Sequence, residues 1–284
     1  SALSIDPLSR LMREEDAQYF VQPFVALHSD NLDKVFEVNF GKHKKGIREI
    51  LKEVQALPEV EYAELVPLYY THRNTSNDPL LAQQYAMSLT SSLAAIPLNT
   101  SSNRTVVAIV DDGVLTTHED LAGNIWTNPG EIAGDGIDND GNGYIDDVNG
   151  WDAADNDNNP RPPASIAGPN QFSHGTHCAG IAGAVHNNNT GIAAISANKV
   201  WIMPVKATRD NIPAPYTSIT NSLEGVTYAI AGGAKVVSMS FGGAGFSQTF
   251  QDLVNTGAAQ GIIFVASAGN GNSDVLNYPA SYTN

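Results

Sequence analysis

Two stretches of this 284-residue chain carry side chains suited to proton-transfer chemistry. Thr105-Val106-Val107-Ala108-Ile109-Val110 runs into Asp111-Asp112-Gly113, and His174-Gly175-Thr176-His177-Cys178-Ala179-Gly180 follows later. A hydroxyl nucleophile needs a base to take its proton, and that base needs an anion to orient it and stabilise the imidazolium. Asp111, closing an apolar run, supplies the anion, and His174, opening a small-residue segment, supplies the base. Each residue alone has a plainer role, a turn-forming Asp or a helix-capping or core His. The two contexts together favour the chemical reading. Cys178 lies four residues after His174, on the same helical face. A small buried cysteine is the expectation there; a Cys nucleophile, or a zinc site with Asp111 and His174, is the alternative.

A second candidate site is acidic. Asp138-Asn139-Asp140-Gly141-Asn142-Gly143-Tyr144-Ile145-Asp146-Asp147 places oxygen-bearing side chains at loop positions one, three, five and nine. Gly143 falls at position six, Tyr144 at seven and Ile145 at eight. Alternate oxygens converging on a hard cation, with Gly at the sharp turn, is the logic of an EF-hand calcium loop. Asn149 stands where the closing Glu is usual, so Asp146 or Asp147 must supply that carboxylate. The ligand set expected from spacing is therefore Asp138, Asp140, Asn142, Tyr144, Asp146 and Asp147, with calcium as the cation and a disordered acidic loop as the alternative.

The elements that must hold these residues change in texture along the chain. Val35 to Phe40 alternates apolar and polar as a half-buried strand does, Ile47, Ile50, Leu51, Val54 and Leu57 repeat at helical spacing, and Pro58 ends that helix. Val60 to Val66 alternates again, predicting a second strand and a small α+β unit over residues 1–75. A polar linker, Thr71 to Pro79, follows. From Thr105 onward, short continuous apolar runs (106–110, 199–205, 235–239 and 261–266) alternate with helix candidates at 174–185, 218–232 and 247–260. Strands apolar on both faces suit a parallel sheet covered on both sides, so residues 76–284 are read as an α/β, doubly wound domain. Active sites of such sheets collect at the carboxyl ends of strands, and Asp111, Ser240 and Asn270 all follow such ends.

These motifs, in this order, resemble the subtilisin-like serine proteases over about residues 77–284. Asp-x-Gly after an apolar strand resembles the family's aspartate motif at Asp111, and His-Gly-Thr-His-x-Ala-Gly its histidine motif at His174. Ser238-Met239-Ser240-Phe241-Gly242-Gly243 is similar to the substrate-binding strand, which implies that Ser240, Phe241 and Gly242 pair with an extended peptide. Ala266-Ser267-Ala268-Gly269-Asn270 is similar to the oxyanion-hole segment, which implies Asn270 as a donor; a turn Asn is the alternative. Asn277 is implied at the floor of the specificity pocket. Asp112 resembles the second acid of the kexin-like branch, which implies selection of a basic substrate side chain, with a solvated turn carboxylate as the alternative. Inserts like the acidic loop occur between the acid and base motifs of such proteases, which implies a stabilising calcium. The front unit is similar to the family's pro-region, with processing expected between about Tyr69 and Asn77.

The family's Gly-Thr-Ser-Met-type serine segment is not among these residues. The resemblance therefore implies a secreted serine endopeptidase in proform, without its nucleophile, acting on peptide or protein substrates. The expectation is that the chain alone is inactive and that the serine half lies further along the chain or on a second polypeptide. The competing classes are a catalytically dead scaffold that binds peptides with calcium support, and a calcium-dependent adhesion module. A formal net charge of −15 argues against nucleic acid and anionic membranes as partners. No apolar run is long enough to span a bilayer, Ser1 to Arg10 lacks a signal-peptide pattern, and a single cysteine excludes an intrachain disulfide.

Overall fold

The computed structural model describes residues 6–29, 31–41, 43–66, 76–164, 172–212 and 218–283. The chain divides into two units, Ser1–Tyr70 and Thr71–Asn284.

In the first unit, helix α1 (Asp6–Glu14) leads into strand β1 (Ala17–Val21), which pairs antiparallel with β2 (Glu37–Phe40), and α2 (Ile47–Gln55) follows. Leu11 and Ile50 are its buried apolar anchors, and Phe20 stacks on Phe36 with ring centroids 4.6 Å apart. Glu15, 2% exposed, ties this unit together by accepting the Lys44 and Lys45 amides at 2.8 and 3.1 Å. The expected strand over Val60–Val66 does not form. The only ladder of this unit among the described residues is β1 with β2, and Tyr62, Leu65 and Val66 are exposed. Alternation becomes a strand only where a neighbouring edge takes its backbone groups. Helix α1 and strand β1 are not among the elements expected from the sequence, although α1 is as amphipathic as α2. The expected processing segment falls mostly on residues 67–75, outside the described residues.

The second unit opens with two short helices, α3 (Tyr85–Leu89) and α4 (Ser92–Ala95). Its sheet comprises β3 (Thr105–Asp111), β4 (Trp151–Asp152), β5 (Val200–Lys206), β6 (Val236–Met239) and β7 (Ile263–Ala266), in spatial order β4-β5-β3-β6-β7 and parallel throughout. Helices α5 (His174–Gly183), α6 (Ser222–Ala231) and α7 (Gln248–Ala259) lie between the strands in sequence, within one to four residues of the spans expected from composition.

Period-two alternation along the strands feeds two cores. Ile109 and Ile202 meet Ala179 of α5 with Val114, Leu121 and Ile125 on one face. Ala108, Val110, Met203, Val205, Val237 and Met239 meet Val226, Tyr228 and Ala229 of α6 and Phe250 and Val254 of α7 on the other. The runs of β3 and β5 are apolar because both faces are covered, whereas Ile263 and Val265 of the edge strand β7 are exposed. Register then sets the site: Val110 pairs with Met239, Met239 with Ala266, and Asp111 with Lys206. The residues that leave β3, β6 and β7 therefore emerge level at one rim.

Candidate active site

Asp111 ends the central strand with its side chain only 3% exposed, whereas the His174 ring is 53% exposed. Nδ1 of His174 lies 2.8 and 3.0 Å from the two carboxylate oxygens of Asp111. Because a carboxylate only accepts, Nδ1 carries the proton in this pair and Nε2 presents its lone pair away from it. Burial works to lower the His174 pKa, but the Asp111 hydrogen bond and the charges of Asp111 and Asp112 together raise it above the ordinary histidine value. An exposed imidazole on a buried anion is thus set to accept a proton at Nε2.

Two local features bring strand end and helix start together. Gly113 has φ +121°, in the region that favours glycine, and turns the chain sharply after Asp111-Asp112. Gly175 lies against that turn: a Cβ there would sit 2.4 Å from the Gly113 carbonyl oxygen and 2.9 Å from Asp111 Cβ. The Asp-x-Gly and His-Gly motifs are two halves of one close backbone contact.

A cleft of about 580 Å³ opens beside the pair, lined by Asp111, Asp112, Ser173, His174, His177, Ile219, Ser240 and Phe241. Ser240 and Phe241 therefore share the cleft with the acid–base pair. Gly242 lies against Asn277, whose side-chain amide would fall 2.2 Å from a Cβ at that position and donates to the Ser267 carbonyl at 3.2 Å. Gly243 and Tyr278 bridge their backbones. Four of the expected substrate-binding residues thus form one contiguous stretch beside β6. Asn270 is exposed, beyond the end of β7 and a Gly269 of φ +89°. Cys178 Sγ is 3.9 Å from His174 Nδ1, and burial pushes its thiol pKa up, the opposite of what a thiolate nucleophile needs.

Asp112 departs from expectation. It is 2% exposed, so the solvated turn carboxylate does not hold. Its oxygens accept the backbone amides of Gly175 at 2.7 Å and His174 at 3.3 Å. Asp112 nonetheless lines the cleft, where the resemblance expects a substrate-selecting acid.

The expected ligand residues of the acidic loop take up different partners. Oxygens of Glu131, Asp140 and Asp147 lie within 4.8 Å of one another, and Asp147 is fully buried. The Asn128 amide bridges Asp140 and Asp147 at 2.9 and 2.8 Å, and Asn142 reaches both at 3.2 Å. Burial raises the Asp147 pKa, opposed by hydrogen bonds from Asn128 and Asn142 and reinforced by the Asp140 charge. Asp138 instead accepts the Gly141, Asn142 and Gly143 amides, and Asp146 those of Gly134 and Gly136. Tyr144 contributes its ring to an aromatic cluster with Trp151 and Tyr228. Asp138 and Asp146 are turned to the backbone because the chain here folds as successive tight turns rather than as a loop between two helices. Glu131, seven residues ahead of the spaced motif, carried no sequence signal. Three hard-oxygen donors, one of them the buried Asp147 carboxylate, fit calcium in donor type.

The model of the subtilase family, peptidases of type S8, matches residues 102–284. Thermitase of Thermoactinomyces vulgaris is 39% identical over 178 residues, covering 63% of this chain and 52% of its own. The thermophilic serine proteinase of Bacillus sp. strain AK1 is 30% identical over 238 residues, covering 84% of this chain and 51% of its own. A solved protease structure from Pseudoalteromonas arctica covers 72% of this chain and 61% of its own, at 24% identity and a TM-score of 0.47. The chain belongs to the subtilase family of subtilisin-like serine proteases. It spans about half the length of these curated relatives.

Proposed function

We propose that this chain carries the acid–base machinery of a serine endopeptidase, with Asp111 orienting His174 and His174 acting on a serine hydroxyl. The observation that carries the reading is the paired contact of His174 Nδ1 with both Asp111 oxygens. In the reaction, the serine O–H proton passes to Nε2 while the oxygen attacks the substrate carbonyl carbon, and the carbonyl oxygen becomes an oxyanion. Nε2–H then returns its proton to the leaving amine as the C–N bond breaks. A water repeats the sequence on the acyl-enzyme. Asp111 stabilises the imidazolium in both halves, consistent with the raised His174 pKa.

Asn270 is read as a donor to the oxyanion. Ser240, Phe241 and Gly242 align the peptide backbone, with Asn277 behind them at the specificity pocket. No serine in these 284 residues resembles the family's serine motif, so the hydroxyl is assigned to further chain or to a second polypeptide, and the 284 residues alone are read as inactive. The first unit, taken as residues 1–75, is read as a pro-region, and the whole as a secreted zymogen acting on peptides or proteins. Similarity to extracellular proteases of Natrialba magadii and Xanthomonas campestris supports secretion. Glu131, Asp140 and Asp147 are assigned to calcium, whose charge would relieve their mutual repulsion and brace the turns that end at Trp151.

Fluorophosphonate labelling of the protein isolated from its source, read by mass spectrometry, tests this. The expected label falls on a serine joined to, or co-purifying with, this chain, and is lost in His174→Ala. A folded protein that never takes the label overturns the enzyme reading in favour of the peptide-binding scaffold.

A further inference from the structure

Asp112 is the buried acid of the cleft that the acid–base pair does not itself use. The first amides of a helix have no acceptor within it, and its N-terminus carries partial positive charge. Ser173, at the capping position of α5, makes no side-chain capping hydrogen bond. Asp112 accepts from His174 N and Gly175 N instead, from 62 and 63 residues away in sequence. One acid thus holds the imidazole while its neighbour holds the helix that carries it. The contact has no slack, since a Cβ on Gly175 would lie 3.1 Å from Asp112 Oδ1 as well as against the Gly113 carbonyl.

We propose that Asp112 is a positioning residue: as a carboxylate it clamps the N-terminus of α5 to the turn after β3 and so sets the contact between His174 and Asp111. This rests on the reading of those two as the acid–base pair, and its test reads their geometry and charge without turnover. The titratable groups facing Asp112 are Asp111 on its own strand and His174 and Cys178 on α5; His177 lines the same cleft. Burial first, then the Asp111 charge, pushes the Asp112 pKa up to about 6, against the Gly175 and His174 amides and the His174 charge. The clamp is therefore charged above that pH and weakens below it, while its charge helps to hold a proton on His174.

The experiment is NMR on this chain: the His174 ring titration, Asp112 side-chain carbonyl shift and exchange of the Gly175 amide, for wild type, Asp112→Asn and Asp112→Ser. Both variants remove the charge, and the His174 midpoint is expected to fall by at least about half a pH unit, a discounted figure because the ring is half exposed. The Gly175 amide should exchange at least about tenfold faster in Asp112→Ser, whose shorter side chain withdraws the acceptor, and less so in Asp112→Asn, whose amide oxygen can still accept it. Folded variants with an unchanged midpoint and unchanged exchange overturn the proposal. If neither variant folds, the wild type decides it. The Gly175 amide shift must then follow the Asp112 carbonyl through one shared transition. An amide that ignores the Asp112 transition overturns it.

Discussion

Lys206 ends β5 beside Asp111 in register, with its side chain 0% exposed. Its ammonium hydrogen-bonds Asp152, whose side chain is 3% exposed, and reaches Asp210 at 2.6 Å and Asp155 at 3.4 Å. The Asp155 and Asp210 side chains are 28% and 49% exposed, so water screens those two pairs and they add little. The cost of Lys206→Met therefore lies with Asp152. Methionine keeps the aliphatic stem that packs near Gly113, but leaves a buried carboxylate without its cation, a change of about 3–5 kcal/mol. For a unit of this size that is roughly 6–20 °C in melting temperature. The sign with pH follows from Asp152. Burial already raises its pKa despite the Lys206 bond, and removing Lys206 raises it further. The folded variant then binds a proton that the unfolded chain releases above about pH 4, so its stability falls as pH rises through the folded-state pKa. Urea unfolding of both proteins between pH 4 and 8 should show a deficit that is smallest at pH 4 and grows toward pH 8. A deficit under about 1 kcal/mol at pH 8, or one that does not change with pH, would refute the assignment of the cost to a stranded Asp152.

Calcium should raise the melting temperature, by about 5–10 °C at a hundredfold excess over its dissociation constant, and chelation should reverse it. Glu131→Gln and Asp147→Asn should each weaken that response in differential scanning fluorimetry; a full response in Glu131→Gln would return the ligand set to the spaced loop positions. Gly175→Ala places a methyl against the backbone of Gly113, where no flexible side chain can yield, so about 1–3 kcal/mol of destabilisation is expected, together with a shifted His174 titration. An unchanged melting curve would show that the turn and the helix are looser than their contact implies.

The residue types of the catalytic pair and the alternation of strands and helices were legible in the linear chain because they are local properties. A short continuous apolar run reads as a parallel strand wherever it falls, and β3, β5, β6 and β7 all came within two residues of their expected bounds. Asp-x-Gly and His-Gly were legible as motifs for the same reason. What depends on a partner distant in sequence was not legible. Val60–Val66 has the alternation of a strand and no edge to join. Asp138 and Asp146 have calcium spacing, and the fold also turns them to backbone amides, as it does Glu131. Glu131 has no motif, yet folds back onto Asp140 and Asp147.

Asp112 shows the division most sharply. The chain by itself determined that an acid follows Asp111 at the end of a buried strand and that a glycine follows His174. Only the tertiary structure decided that the acid would face the amides of a helix starting 62 residues later, because unpaired N–H groups and a buried carboxylate each need a partner, and the packing of α5 on β3 and β5 brings those partners together.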